Sequence, residues 1–216
     1  MSTVDESGTL ENLGFTRGGI VETILVTANR NGSMNAAPMG IRLVGGLFEL
    51  RPFKTSATYG NLKRGGHATV NTTQEPLLFL ATAFKEEVDD QPSVDGDMTL
   101  SGSDSTIHIE VQGEKRTQGD QALFTAKPVK VSMRRQYPTV FSRGRAGAIE
   151  AVIHATRVKA FKGGGKEAEV EELLKRIDGC AGTVRRVSPA GSPECTVIDR
   201  LYKMMSGWGV QTRRSS

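Results

Sequence analysis

The stretch Arg51-Pro52-Phe53-Lys54-Thr55-Ser56-Ala57-Thr58 places two cations and three hydroxyls close together in the chain. Such a set can hold a phosphate, because cationic N–H and hydroxyl donors make short, strong bonds to its oxygens. Residues 55–64 read as a short helix, with Ser56 as its N-cap and Gly65-Gly66 as its stop. Free backbone N–H groups and the positive helix end would then face the same anion. A plainer reading has Ser56 simply capping, with Arg51 and Lys54 solvated. Residue types alone leave both open.

Glu150, His154 and Arg157 form a second set, four and three residues apart and so on one helix face. They could form a buried ion pair that fixes a helix, or present a cation and a titratable imidazole to a substrate. The spacing does not choose.

Other chemistries are poorly supported. Gly163-Gly164-Gly165-Lys166 has Glu167 where a phosphate loop needs Ser or Thr, and its first glycine is misplaced. No glycine-rich dinucleotide fingerprint follows a strand. His67, His108 and His154 are widely spaced, and no metal site is expected. There is no nucleophile elbow for Ser/His/Asp catalysis. Cys180 and Cys195 are read as reduced thiols. The formal charge of +4 suits small anions, and with 6% aromatic residues a stacking surface for nucleic acid is not expected. No apolar run is long enough to span a bilayer and the polar start has no signal-peptide core, so a cytoplasmic protein is expected.

The elements that must position these residues are strands first and helices last. Residues 1–14 read as a flexible tail. Gly19 to Asn29 is β-branched and apolar, Asn31-Gly32 suggests a type I′ turn, and strands follow at Met34 to Leu43 and Leu47 to Phe53. His67 to Thr72 and Pro128 to Arg134 also read as strands. Residues 86–121 look like an acidic surface excursion with one short strand at Thr106 to Val111. Helical spacing marks Gly147 to Ala160 and Lys166 to Asp178, the second ended by Gly179, and a third helix begins at Ser192-Pro193. The fold class is α+β: a β domain at 15–142 and a helical subdomain at 143–210.

Asn35-Ala36-Ala37-Pro38-Met39-Gly40, followed by Lys54, Ser56, Thr58, Asn61-Leu62 and Val70-Asn71, resembles the flavin mononucleotide (FMN)-binding split β-barrel of flavin reductase-like and pyridoxamine-phosphate oxidase-like proteins. With Gly19 to Thr23, Arg51 to Lys54 and Ala148 to Arg157, the chain resembles more closely the split-barrel family called domain of unknown function 447. The resemblance implies FMN shared across a homodimer. Pro38, Met39 and Gly40 would run beside the isoalloxazine ring. Arg51, Lys54, Ser56, Thr58 and Asn61 would hold the phosphate and ribityl chain, with Asn71 a lesser candidate. It implies an FMN-dependent oxidoreductase of unknown substrate, with pterin-linked one-carbon metabolism as a context. No side-chain acid, base or nucleophile stands out, so the alternative is a flavin carrier, sensor or assembly protein without turnover.

Overall fold

A computed structural model describes residues 6–15, 18–134 and 142–210. Residues 1–5 of the expected tail and 135–141, near the expected end of the β domain, lie outside the described residues. The elements are α1 (Glu6–Asn12), β1 (Ile20–Ala28), β2 (Met34–Val44), β3 (Leu47–Leu50), α2 (Ala57–Lys63), β4 (His67–Thr72), α3 (Pro76–Ala83), β5 (Ser105–Lys115), β6 (Leu123–Met133), α4 (Arg143–Phe161), α5 (Glu167–Val187) and α6 (Pro193–Gly207). The chain divides into two compact units, Met1–Thr73 with Pro92–Tyr137, and Gln74–Gln91 with Pro138–Ser216.

The first unit is a closed antiparallel barrel in the order β1-β2-β3-β6-β5-β4. Closure pairs every strand and leaves no sheet edge to be shielded. Alternation sends Leu25, Met39, Ile41, Leu43, Phe48, Val70, Ile107 and Phe124 into the barrel interior. The tail expectation is corrected here: residues 6–12 form α1, and Leu10 and Phe15 are buried in the same core, 3% and 1% exposed. Phe15 packs against Phe48 with ring centroids 5.0 Å apart. Two apolar side chains thus hold a segment whose overall polarity reads as a tail.

The β1–β2 connection differs from the expected two-residue turn. Asn29 N–H donates to Ser33 O (2.8 Å), and of the loop residues only Gly32 has positive φ, +81°. The loop is one residue wider, so Thr27 stands opposite Asn35. Glycine takes that loop position without strain.

The expected excursion also resolves differently. Residues 74–91 belong to the helical unit, and β5 and β6 form a long hairpin with irregular register at His108/Ile109 and Val111/Gly113. What remains as loop in the barrel unit is 92–104 and the β5–β6 connection, 116–122. The expected 15–142 domain therefore has a segment of the other unit inserted in it.

The second unit packs α3 against α4 and α6, and α4 against α5. α3 (PLLFLATA) is apolar almost all round, as befits a helix with Phe79, Leu80, Ala81 and Thr82 buried. On α4 the small residues Ala148, Ala151 and Ala155 are fully buried, and a Cβ on Gly147 would lie 3.3 Å from a Val184 methyl of α5. α5 runs through Gly179 to Val187, correcting the expected stop, because Leu173, Ile177, Ala181 and Val184 continue one buried stripe. Burial of that stripe outweighs the cost of about 1 kcal/mol for a helical glycine. Ser192 caps α6, with Pro193 in its first turn.

Candidate functional site

Beyond β3 the chain continues alongside the end of the β5–β6 connection. Phe53 bridges Gln121, Ala122 N–H donates to Pro52 O (3.0 Å), and Lys54 N–H donates to Asp120 O (2.8 Å). The Lys54 ammonium donates to Gly119 O at 2.8 Å, so it closes the 117–121 loop rather than standing free. Arg51 is exposed, and no described residue pairs with it. One step beyond the last β2–β3 pair, Ile41↔Leu50, come Gly40 of β2 and Arg51, the first residue after β3.

Ser56 is spent as a cap. Its Oγ accepts from Tyr59 N–H (3.1 Å) and donates to Phe53 O (2.7 Å). α2 has only seven residues, so its dipole adds little.

Thr58 and Asn61 point into the protein, 3% and 8% exposed. Asn35 Nδ2 donates to Thr58 Oγ1 (3.1 Å) and to Thr27 Oγ1 (3.3 Å). Asn61 Nδ2 donates to Thr27 Oγ1 (2.9 Å) and Asn29 Oδ1 (3.0 Å), and its Oδ1 accepts from Arg64 Nη2 (2.7 Å). This network clamps α2 onto the ends of β1 and β2. Buried polar networks of this kind fix geometry when every member is satisfied. Thr27, Asn29 and Arg64 were missed from sequence; the signal would have been the 27↔35 register, which the wider turn conceals.

On β2 the side chains alternate. Met39 enters the core, and its carbonyl accepts from Thr23 Oγ1 at 2.9 Å. Pro38 and Gly40 face outward and are half-buried. A Cβ on Gly40 would meet Ile20 Cγ2 at 3.1 Å and Glu22 Oε1 at 3.2 Å. Ile20, Met34 and Val44 are exposed on the same outer surface, Ile20 by 58%. The same face carries Glu22 opposite Gly40 and the exposed Arg42 opposite Ile20, so its apolar positions are bordered by charge.

Asn71 belongs to another network. It is fully buried, and its Oδ1 accepts from Leu100 N–H (3.0 Å) and Thr106 Oγ1 (2.9 Å), while its Nδ2 donates to Thr69 Oγ1 (3.0 Å). It ties the 92–104 loop to β4 and β5. The structure thus brings Arg51, just past the end of β3, next to Pro38 and Gly40 of β2, joins Thr58 and Asn61 in a clamp, and sets Asn71 in a separate network.

Glu150, His154 and Arg157 lie on α4 in the helical unit. His154 Nε2 is 3.2 Å from Glu150 Oε1; the His154 side chain is 6% exposed and that of Glu150 56%. His154 Nδ1 is buried without a hydrogen-bond partner. Burial pushes its pKa below the usual imidazole value, Glu150 opposes this, and Arg157 and Arg176 add to it. His154 is therefore a neutral buried imidazole touching an outward-facing carboxylate. A depressed histidine pKa means the unfolded chain binds protons more readily, so stability should fall as pH drops below the ordinary value of 6.5. Urea unfolding between about pH 7.5 and about pH 5 should show this slope, and His154→Leu should flatten it. An unchanged slope in the variant would assign the acid sensitivity elsewhere.

Among the described residues no helix is long and apolar enough to cross a membrane, and no group of three His, Cys, Asp or Glu side chains is placed to hold a metal.

The family model "Protein of unknown function (DUF447) N-terminal domain" matches residues 21–135. The chain belongs to the DUF447 family. Among solved structures, an FMN-bound DUF447 protein from Methanosarcina mazei superposes with a TM-score of 0.71 at 24% identity, over 90% of this chain and 98% of that one. The styrene monooxygenase flavin reductase of Pseudomonas putida S12 gives 0.45 at 13% identity, over 53% and 79%. The 2-nitrobenzoate 2-nitroreductase of Pseudomonas fluorescens gives 0.46 at 14%, over 62% and 75%. Both units of this DUF447 protein thus fall within the likeness to the Methanosarcina structure, which extends well past the matched N-terminal region.

Proposed function

We propose that this DUF447 protein binds FMN on the outer face of its barrel and works as a homodimer, with the flavin between the two copies. The observation that carries the reading is the unpaired Arg51 guanidinium one step from the half-buried Gly40–Pro38 face. The residues fit the group. A glycine and a proline on an extended strand admit a flat ring, backbone amides can bond its polar edge, and a free guanidinium can fork onto a phosphate. The Methanosarcina relative, described as FMN-bound, supports the choice of ligand. In this reading Pro38, Gly40 and Arg51 touch the cofactor. Lys54 and Ser56 shape the approach to the phosphate, while Thr58 and Asn61 position α2. The exposed Ile20, Met34 and Val44 give the second copy an apolar surface to cover.

Bound FMN supplies redox chemistry, which makes an oxidoreductase the function we infer; the protein binds and orients it. Purified protein should prefer FMN to riboflavin, and Arg51→Ala should weaken FMN binding by about 10–100-fold while leaving riboflavin unaffected, since one charge-assisted phosphate contact is lost. Equal affinity of the parent for the two flavins would remove the phosphate assignment. Light scattering of the flavin-loaded protein should report a dimer. Anaerobic addition of NADH or NADPH, with the flavin absorbance followed, separates a turning-over enzyme from a carrier.

A further inference from the structure

A cleft of about 510 Å³ opens on the barrel unit at the C-terminal end of α2. Of the residues that the sequence reading gave to the flavin only Asn61 lines it, and its side-chain amide is bonded to Thr27, Asn29 and Arg64. Its charged and titratable lining is Arg30 from the β1–β2 loop, Arg64 from the α2–β4 connection and His67 at the start of β4, with no carboxylate in the wall. Arg30 is exposed, and no described residue pairs with it. The Arg64 guanidinium is held in place by Gly60 O (3.1 Å), Ala28 O (2.8 Å) and Asn61 Oδ1 (2.7 Å). It therefore covers a carbonyl at the negative end of α2, which would otherwise repel an anion. A guanidinium has five N–H donors, so two remain for a ligand.

The rest of the wall includes Met98 and Val111, both half-buried, while Leu62 beside them is committed to the barrel core. Met98 is the one described non-glycine residue with positive φ, +59°. Its strained backbone is fixed on both sides: its N–H donates to Asp95 O (2.9 Å), and its carbonyl accepts from Thr69 Oγ1. Strain of this sort persists only where the surroundings over-determine it, and it concentrates at ligand sites.

We propose that this cleft binds a small organic anion, one carboxylate or phosphate head on an apolar body. Arg30, Arg64 and His67 face the head, and Met98 and Val111 face the body. The site is separate from the flavin and stands or falls without it.

Phenyl phosphate is a suitable probe, with benzoate, inorganic phosphate and benzyl alcohol beside it. His67 is one of three histidines, so its imidazole resonance can be followed by proton NMR in the FMN-saturated full chain. Phenyl phosphate should shift that resonance saturably, more tightly than inorganic phosphate, and benzyl alcohol should not. Benzoate competing equally well would name a carboxylate as an acceptable head; benzoate failing would restrict the site to phosphate esters. Arg30→Ala should weaken phenyl phosphate binding by about tenfold or more with an unchanged melting temperature and FMN affinity. Parent-like binding in that variant, or equal binding of benzyl alcohol, would overturn the site. Competition between FMN and phenyl phosphate would overturn its independence. A protein that binds the probe but no FMN would retain this site and refute only the flavin reading.

Discussion

Asn71→Leu should destabilise the barrel unit by about 2–6 kcal/mol, because two buried donors lose their acceptor at about 1–3 kcal/mol each. Those donors are the Leu100 backbone N–H and the Thr106 hydroxyl, both now bonded to Asn71 Oδ1. Leucine keeps the branched outline of asparagine, with methyl groups in place of the amide oxygen and nitrogen, so the loss is chiefly of hydrogen bonds. The 92–104 loop should loosen first, since Asn71 is one of its ties to the strands. Urea unfolding measures the cost, and FMN titration of the folded variant measures the rest. Affinity within about threefold of the parent is expected, because this side chain is fully buried among protein partners. A variant of parental stability that had lost FMN would instead make Asn71 a ligand contact.

Gly40→Leu should have the largest effect on the cofactor. The added Cβ would lie 3.1 Å from Ile20 Cγ2 and 3.2 Å from Glu22 Oε1; the Glu22 carboxylate can turn aside, and the stiff but exposed Ile20 must give by a few tenths of an ångström. Gly40 lacks positive φ, so its strand backbone accepts a side chain. The fold should therefore survive at a cost of about 1–3 kcal/mol. The leucine would occupy the place proposed for the ring, and FMN binding should fall by more than about 100-fold, or about 2.7 kcal/mol. Parental FMN affinity in a folded Gly40→Leu protein would move the flavin off this face.

The sequence made β1, β2, β4 and the α6 cap legible because each carries a local pattern: β-branched runs for the strands, Ser192-Pro193 for the cap. Ser56 was legible as a cap for the same reason. What escaped was carried by long-range partners. The Lys54 ammonium reads as free until Gly119, far along the chain, supplies its acceptor. Asn71 reads as a site residue until Leu100 and Thr106 claim its oxygen. One extra residue in the β1–β2 loop changed which residues face each other, and so hid the Thr27–Asn35 contact. α3 offers no periodic signal, since a helix buried on most sides has no polar face to repeat.

The insertion of 74–91 has a consequence for how the protein is made. A ribosome releases α3 before β5 and β6, yet the helices that cover it, α4 and α6, come only after the last barrel strand. During that interval a short, nearly all-apolar helix has no cover of its own, the kind of surface that chaperones hold and that aggregates when they do not. The same holds for a fragment cut to residues 21–135, the region that the family model delimits: it contains α3 and none of α4 to α6. Cut there, the chain is expected to expose the apolar faces of α3 that α4 and α6 contact, and to aggregate where the full chain does not.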